Sequence, residues 1–535
     1  MCLAPKPWRG ILWLMNPAVP STDAPPFQSI SALIRGHART QPTRPALLQG
    51  DTHIDYSTLD TLMDRVAASL QRDGLRYGDA IALCARATPL YALVFLGALR
   101  AGVAVAPLAP MVTPDSFASM LGDAQARRLF VDAAALDALG AAGTARHCIA
   151  LDDSAPGTPF ERWLMPEGAR PAPAEVQPEW PFNIIYSSGT TGQPKGIVQS
   201  HGMRWTHVMR GASFGYGPEA VTLLATPLYS NTTLVVFFPT LAFGGCVVLM
   251  PKFDAAAYLA LAERHRMSHT MLVPVQYQRL MALPGFDAHD LSATRFKFCT
   301  SAPFGAALKA DVLKRWPGGL VEYYGMTEGG GTCILAAHEH PTKLHTVGQP
   351  ALGHDIRLID DNGVELPEQA KREGQTGEVV GHSAGMMTGY HGQPAKTREA
   401  EWFAPDGKRF IRTGDIGRFD EDGFLTLMDR KKDMVISGGF NIYPSDLEAV
   451  LREHPAVADV AVVGVPSVQW GETPVAFVVP WADSPEPAEA LMQWLNQRVG
   501  KTQRLAALHY IDELPRSAIG KVLKRELRDK YTASA

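Results

Sequence analysis

The first part of the chain alternates amphipathic segments with short apolar runs. The segment STLDTLMDRVAASLQRDGL spaces its apolar residues as a helix does, whereas AIALCA and RRLFVD are short and mostly apolar. From Phe27 to about Arg170 this alternation predicts βαβ units and therefore a parallel sheet. After an irregular Pro-rich connection, the alternation resumes in FNIIYSS, TLLATPLY, DAAAYLALAERHRM, HTMLV and AALKADVLKRW. It predicts a second doubly wound α/β unit.

Beyond Thr346 the pattern changes to short strands separated by Gly-rich turns, as in TGEVVGHSAGMMTGY and GRFDEDGFLTLMD. This change predicts a small β-rich subdomain. The charged run DRKKD at 429–433 precedes a last unit with two helical patterns, SDLEAVLREHP and PAEALMQWLNQRVG, and two strand patterns, VADVAVVGV and PVAFVVP. We expect an amino-terminal domain over 27–431, a carboxy-terminal α/β domain over 432–535, and a leader over 1–26 whose first 14 residues come from an upstream start codon.

Composition and charge narrow the function classes. The chain has 535 residues, of which 46% are hydrophobic and 19% charged, and its net charge is −4. Because such a chain lacks the positive field that holds a polyphosphate backbone, we expect no nucleic acid partner. The apolar run from Leu234 to Met250 contains Pro239, so it predicts helix, turn and strand rather than a stable membrane insertion. Six widely spaced cysteines indicate a reduced, cytoplasmic protein.

The most specific motif, YSSGTTGQPKG, runs from Tyr186 to Gly196 and begins at the end of the strand pattern FNIIYSS. Its glycines let backbone N–H groups approach an anion, its hydroxyls add donors, and its lysine adds a positive charge. The spacing differs from GxxxxGK[ST], so the loop is not a Walker A motif. The predicted phosphate-binding residues are Ser187, Ser188, Gly189, Thr190, Thr191 and Lys195.

This loop resembles the signature loop of the adenylate-forming acyl-CoA synthetases, aryl-CoA ligases, peptide-synthetase adenylation domains and luciferases. Further motifs extend the resemblance in the family's order: YYGMTE at 323–328, RTGD at 412–415, DRKKD at 429–433 and PRSAIGK at 515–521. The resemblance implies an α/β fold with a large amino-terminal domain of doubly wound subdomains plus a small β-rich subdomain. A smaller, mobile carboxy-terminal α/β domain completes the implied fold.

The resemblance also implies roles for the matching nucleotide-site residues. Tyr324 is expected against the adenine, Thr327 beside the phosphates, and Glu328 on Mg²⁺. These roles agree with general chemistry, because an aromatic face suits a purine and a carboxylate suits magnesium. Asp415 is expected to accept hydrogen bonds from the ribose hydroxyls, and Arg430 to contact the nucleotide near the ribose and phosphate.

In the carboxy-terminal part, Lys521 is expected to neutralise the carboxylate and the α-phosphate during displacement, acting with Thr327 and Glu328 as the catalytic group. Lys432 is expected to be the hinge of domain rotation. The implied CoA-binding residues are Gly438 and Gly439. Lys524 and Arg525 are expected to face solvent or the CoA phosphates.

The implied acyl pocket is mostly small or apolar and consists of Tyr229, Ser230, Ser301, Ala302 and Gly325. It favours a medium- or long-chain fatty acid or an aromatic acid. Ser230 stands where aryl and fatty-acyl ligases often have His, so we transfer no acyl specificity from the family. Arg279 is a candidate partner for a second carboxylate, but a helical Arg is more often at the surface, so dicarboxylic acids rank lower.

The implied activity is that of an acid–CoA ligase. A carboxylate attacks the α-phosphate of ATP, giving acyl-AMP and pyrophosphate, and the CoA thiolate then displaces AMP. The expected partners are a small carboxylic acid, ATP and CoA, with Mg²⁺ as the metal, and the sequence leaves a homodimer open. Three alternatives remain: a ligase that loads a carrier protein, a luciferase-like oxygenase, and an inactive nucleotide-binding relic.

Overall fold

The computed structural model describes residues 25–110, 112–139, 148–153, 157–187, 194–437, 440–481, 486–517 and 520–534. The helices are α1 (Ile30–Thr40), α2 (Tyr56–Arg72), α3 (Pro89–Arg100), α4 (Pro114–Asp123), α5 (Ala133–Leu139), α6 (Phe160–Trp163), α7 (His201–Gly211), α8 (Asn231–Ala242), α9 (Ala255–Arg264), α10 (Pro274–Met281), α11 (Ala306–Arg315), α12 (Glu368–Arg372), α13 (Pro394–Glu399), α14 (Pro444–Leu451), α15 (Ala488–Asn496) and α16 (Lys524–Ser534).

The strands of the first part are β1 (Pro45–Gln49), β2 (Thr52–Asp55), β3 (Ala80–Cys84), β4 (Ala104–Pro107), β5 (Arg128–Val131), β6 (Cys148–Ala150), β7 (Thr158–Pro159), β8 (Pro181–Ser187), β9 (Lys195–Ser200), β10 (Val221–Leu224), β11 (Cys246–Leu249), β12 (His269–Leu272), β13 (Phe296–Cys299), β14 (Gly319–Met326), β15 (Gly329–Ala336) and β16 (Gln349–Pro350). The later strands are β17 (Asp355–Ile359), β18 (Gly377–His382), β19 (Gly389–Tyr390), β20 (Glu401–Phe403), β21 (Arg409–Phe419), β22 (Leu425–Arg430), β23 (Val435–Ser437), β24 (Phe440–Ile442), β25 (Val457–Ser467), β26 (Gly471–Pro480) and β27 (Ala507–Tyr510).

Two large, mostly parallel sheets form the first part of the molecule. One has the order β19-β9-β8-β4-β3-β5-β6-β7, and the other has the order β16-β15-β14-β13-β12-β10-β11-β1-β2. Antiparallel pairs occur at the ends of both sheets, including β8–β9 and β14–β15. The central strands β3 and β12 are entirely buried, as strands covered on both faces are. The prediction of two doubly wound units is confirmed.

The core between the two sheets is apolar and rich in aromatic rings. Helices α3 and α8 are buried on nearly every face, which explains why neither has an amphipathic pattern. The ring of Phe238 on α8 lies 5.6 Å from that of Phe95 on α3 and 4.9 Å from that of Phe182 on β8. The apolar run from Leu234 to Met250 is helix, turn and strand, as predicted. Among the described residues, no helix is long and apolar enough to cross a membrane.

A smaller antiparallel sheet follows, as the change of pattern beyond Thr346 predicts. Its order is β17-β18-β21-β20, and β22 pairs with β21. The β21–β22 pair sets Asp415 directly opposite Arg430. Two residues from motifs that are separate in the sequence therefore share one sheet position.

The last part of the chain forms its own five-stranded sheet, in which β24-β23-β26-β25 run antiparallel and β27 adds a parallel strand to β26. One face packs against α14 and α15 through Leu447, Leu451, Leu491 and Leu495. The other face packs against α16 through Leu527. This sheet and its three helices, from β23 to α16, have their own core, and we call this unit the cap.

Candidate active site

A cleft of about 2230 Å³ is lined by both the large sheets and the cap. The predicted site residues that line it are Lys195, Tyr229, Ser230, Ser301, Ala302, Tyr324, Gly325, Thr327, Glu328, Asp415, Arg430, Lys432 and Lys521. Ser188, Gly189, Thr190, Thr191, Gly438 and Gly439 lie outside the described residues. Ser187 is described only by its backbone, which pairs with Lys195 at the end of β8. Within the described part of the chain, the fold brings residues from distant motifs to one cavity.

At one end of the cleft, Asp415 is held by two side chains. The hydroxyl of Tyr324 donates a 2.8 Å hydrogen bond to Asp415 Oδ2, and Arg430 Nε lies 3.3 Å from Oδ1. Burial and the neighbouring Asp415 carboxylate raise the pKa of Tyr324 well above its usual value, so the phenol stays a neutral donor. The carboxylate is thereby oriented before any ligand binds. We call this region the nucleotide end, after the ligand that the sequence analysis expects there.

The turn between β14 and β15 carries Thr327 and Glu328 and is tied to neighbouring segments. Gln199 Nε2 donates to the Thr327 carbonyl at 2.7 Å, and Met387 N donates to the Glu328 carbonyl at 2.8 Å. The Tyr390 hydroxyl donates to Glu328 Oε1 at 2.9 Å. The ammonium of Lys195 lies 5.1 Å from the centre of the same Tyr390 ring. The Glu328 carboxylate and the cation from the phosphate-loop motif therefore share one aromatic neighbour.

Lys521 reaches the cleft on a loop of the cap. The loop is closed by hydrogen bonds from Gly520 N to the Ser517 carbonyl at 2.8 Å and from Arg516 Nη1 to the Gly520 carbonyl at 2.6 Å. Gly520 has φ of +75°, and a Cβ there would lie 3.0 Å from Val275 Cγ1 of α10. Burial first, and then the positive charge of Arg430, lower the pKa of Lys521 to about 8. The cap thus places this lysine next to the nucleotide end.

The segment that joins the cap to the β-rich sheet is only partly solvated. Lys432 is exposed, whereas Lys431 Nζ lies 2.9 Å from Asp361 and 3.4 Å from the buried Glu378 carboxylate. Lys524 was expected to face solvent or the CoA phosphates, and this expectation is wrong. Lys524 is the first residue of α16, its side chain is largely buried, and its Nζ lies 3.0 Å from Glu448 of α14. Sequence reasoning could not foresee that Glu448 faces this position.

The expected acyl pocket begins where β10 leads into α8. Ser230 caps α8 by accepting a hydrogen bond from Thr232 N at 3.3 Å, and the Thr232 and Ser301 hydroxyls lie 2.6 Å apart. Ser301 has φ of +80°, a strained value for a residue other than Gly. The cleft wall also includes Val235, Val236, Phe298 and Tyr323. The expected pocket therefore combines hydroxyl groups with apolar and aromatic side chains.

The cleft residues that the sequence analysis did not identify include His207 and Arg210 on α7, and His354 before β17. Arg204 Nη1 lies 3.2 Å from His207 Nδ1, and Arg210 Nη2 lies 3.4 Å from His354 Nε2. The signal that could have revealed part of the group is the spacing of residues 204, 207 and 210, which recur every three positions on one helix. His354 gives no such signal, because only the fold brings it to α7.

Two family descriptions match the chain: "AMP-binding enzyme" over residues 34–391 and "AMP-binding enzyme C-terminal domain" over residues 446–521. The chain belongs to the AMP-binding enzyme family. It is 32% identical to a feruloyl-CoA synthase from Amycolatopsis sp over 92% of this chain and 97% of that protein. It is also 32% identical to an indoleacetate–CoA ligase from Aromatoleum aromaticum, over 93% of this chain and 97% of the relative.

Solved structures of AMP-binding enzymes share the fold. ATP-bound MatB from Rhodopseudomonas palustris matches with a TM-score of 0.83 at 27% identity, over 94% of this chain and 99% of that one. The amide bond synthetase McbA from Marinactinospora thermotolerans matches with a TM-score of 0.81 at 27% identity, over 94% and 99%. The predicted adenylate-forming family, the α/β fold with a large and a small domain, and acid–CoA ligation through an acyl-adenylate are confirmed.

Proposed function

We propose that this AMP-binding enzyme activates its acid at the nucleotide end of the cleft, with Lys521 as the cation that acts in adenylation. The observation that supports this proposal most is the position of Lys521. The cap carries it into the same cavity as Asp415, Glu328 and the acyl pocket. A lysine whose pKa is lowered to about 8 by burial is still largely protonated near neutral pH and is poorly solvated, so negative charge developing nearby attracts it strongly.

The proposed chemistry needs no protein nucleophile. One oxygen of the acid attacks the α-phosphorus of ATP, the bond from that phosphorus to the bridging oxygen breaks, and pyrophosphate leaves with the electron pair. Asp415 accepts hydrogen bonds from the ribose hydroxyls, while Tyr324 lies beside the adenine and Arg430 near the phosphate. Thr327 and Lys195, with Ser187, Ser188, Gly189, Thr190 and Thr191, hold the phosphate groups. The protein contributes positioning and charge neutralisation.

Magnesium is part of the proposal, and the donor set fits it. Among the described residues, no group of three or more His, Cys, Asp or Glu side chains could hold a metal by itself. Mg²⁺ commonly binds one or two protein carboxylates together with substrate phosphates, so a single carboxylate in the cleft is enough to hold it beside ATP. Glu328, oriented by the Tyr390 hydroxyl, is the proposed ligand. When bound, Mg²⁺ would supply positive charge at the phosphates.

We further propose that the cap acts in both half-reactions, and that the domains divide at 27–431 and 432–535 with residues 1–26 as a leader. Lys432 is exposed beside the paired Lys431, which suits a hinge at that position. Rotation there would withdraw Lys521 and bring Gly438 and Gly439 toward the acyl group for the reaction with CoA. The Gly520 contact with α10 would then break.

The favoured acid is a medium- or long-chain fatty acid or an aromatic acid, which the apolar walls of the cleft support. The relatives named above act on ferulate and indoleacetate by their names, both of which are aromatic acids. A carrier protein as acceptor is the second candidate, because a fatty acid–[acyl-carrier-protein] ligase from Streptomyces coeruleorubidus is 30% identical over 95% of this chain. A homodimer and a cytoplasmic location stay predictions.

The test is acid-dependent pyrophosphate release with MgATP, run with and without CoA over fatty, aryl and dicarboxylic acids, with the thioester identified by mass. The proposal expects turnover that rises with CoA and gives acyl-CoA. Pyrophosphate exchange without thioester would indicate a carrier protein. The absence of acid-dependent pyrophosphate release with every acid of the panel would contradict the proposed activity. Lys501→Ala, which removes an exposed lysine of the cap, is the matched control for changes at Lys521.

A further inference from the structure

The cleft contains a group of nitrogen donors that the proposed chemistry does not use. It consists of His207 and Arg210 on α7 and His354 before β17, and we call it the donor cluster. Successive strand side chains point to opposite faces, so Tyr324 and Tyr323 lie on opposite sides of β14. Tyr324 contacts Asp415, whereas the Arg210 guanidinium lies 5.9 Å from the centre of the Tyr323 ring. The donor cluster is therefore across β14 from the nucleotide end.

The pair formed by Arg210 and His354 cannot be a hydrogen bond. Thr332 N donates to His354 Nδ1 at 2.9 Å, so that ring nitrogen carries no proton. A neutral imidazole with this tautomer carries its proton on Nε2, the atom that lies 3.4 Å from Arg210 Nη2. A guanidinium nitrogen is also a donor only. Two donors thus face each other, and both need an acceptor.

His207 repeats the arrangement on the next turn of α7. Its Nδ1 lies 3.2 Å from Arg204 Nη1 and must be the acceptor, so Nε2 carries the proton. Arg204 itself is buried and donates to the amide oxygens of Asn183 and Asn231 rather than to a carboxylate. The donor cluster therefore lies against a second uncompensated guanidinium.

No carboxylate of the described residues pairs with Arg204 or Arg210. Burial is the main reason why the pKa of Arg210 is lowered, and burial together with Arg210 lowers the pKa of His354 to about 3. His354 is therefore neutral near neutral pH, in agreement with the tautomer. Arg210 is half-buried, and an unpaired cation that has lost part of its hydration favours an anion as partner.

We propose that the donor cluster binds a second carboxylate of the acid, at the end of the acid that lies far from the reacting carboxylate. This inference rests on the proposed function and names its substrate class: a dicarboxylic acid with an apolar or aromatic spacer. The apolar walls at Val235, Val236 and Phe298 would contact the spacer. The sequence ranked such acids lower because it offered only Arg279, which is exposed. Arg210, on another helix, supplies the missing charge.

The test compares matched acids that differ only at the far end: octanoic with octanedioic acid, and cinnamic with 4-carboxycinnamic acid. For each we would measure kcat/KM in wild type, Arg210→Met, Arg210→Lys and the surface control Arg279→Met. A dicarboxylic member should exceed its monoacid by about 100-fold or more in wild type and lose that advantage in Arg210→Met. Arg210→Lys should retain part of it, and Arg279→Met all of it.

Calorimetric binding of the same acids without ATP tests the subsite even if no acid is turned over, which separates its failure from that of the proposed function. Equal affinity for both members of each pair in wild type would overturn the inference. An equal loss of monoacid and diacid activity in Arg210→Met, with ATP binding and melting temperature intact, would also overturn it, because Arg210 would then act on the fold of the pocket alone.

Discussion

The nucleotide end and the donor cluster differ in whether their charged side chains have partners within the protein. At the nucleotide end, Asp415 already has Tyr324 and Arg430 as partners, and Glu328 has Tyr390. In the donor cluster, Arg210 faces another donor and has no carboxylate partner among the described residues. The charged groups of the nucleotide end have hydrogen-bond partners within the protein, whereas Arg210 of the donor cluster would gain an acceptor only from a ligand.

This difference separates two modes of recognition. A carboxylate held by its neighbours is preoriented, so on the proposed assignment the nucleotide would bind with little reorganisation of the protein. An unpaired, half-buried donor weakens the apo protein but disfavours any ligand that cannot supply an acceptor. The nucleotide end is thus suited to a ligand common to the whole family, and the donor cluster to an acid specific to this chain.

The largest expected effect comes from removing the cation at the nucleotide end. Lys521→Ala should slow adenylation by about 1,000-fold, because charge developing at the α-phosphate loses its neutralising group. Thioester formation from supplied acyl-AMP should change little. Pyrophosphate exchange and single-turnover thioester formation measure the two steps, and the exposed-lysine control Lys501→Ala should affect neither. Equal losses in both steps would contradict the assigned role.

Asp415→Asn should weaken ATP binding by about 10- to 100-fold. A neutral amide oxygen is a weaker acceptor for the ribose hydroxyls than a carboxylate, and this one oxygen would also have to accept the hydrogen bond from Tyr324. Binding of the acid alone should stay unchanged, since the donor cluster lies across β14. Calorimetric titrations with ATP and with the acid distinguish the two. Parallel losses for both ligands would mean that the ends are not independent.

The contribution of a paired and of an unpaired arginine to stability can be compared without any ligand, through the free energy of unfolding. Arg412 donates to both oxygens of the buried Glu378, so Arg412→Met should lower the free energy of unfolding by about 2 kcal/mol. Arg210→Met removes an unpaired cation and should leave stability unchanged or raise it by about 1 kcal/mol. Urea titrations of both variants measure the difference. A larger destabilisation by Arg210→Met would show that Arg210 has a partner within the protein.

The pH profile gives the smallest expected effect. Because the pKa of Lys521 is lowered to about 8, kcat/KM for ATP should fall as pH rises through that value, where a free lysine would stay charged. Lys521→Arg should extend activity to higher pH, since a guanidinium keeps its charge. A wild-type profile that stays flat well above pH 8 would contradict the assigned environment.

Much of the fold could be predicted from the sequence, and so could the set of residues that meet around Asp415, whose roles stay predictions; the donor cluster could not. Periodicity predicted α2, α14 and the central strands because apolar spacing records burial directly. The nucleotide-end residues were found because each lies in a short contiguous motif. His354 and Arg210 are far apart in the sequence, and they meet only because the fold brings the turn before β17 against α7. Lys524 was misassigned for the same reason, because its partner Glu448 belongs to a different helix.

The central claim is that the two ends recognise opposite halves of one acyl-adenylate. The most direct measurement is the affinity of two non-hydrolysable acyl sulfamoyl adenosines, with and without a carboxylate at the far end of the acyl group, for wild type, Asp415→Asn and Arg210→Met. The account predicts that the far carboxylate tightens binding by about 100-fold in wild type and Asp415→Asn and by nothing in Arg210→Met. An equal preference in wild type and Arg210→Met would contradict it.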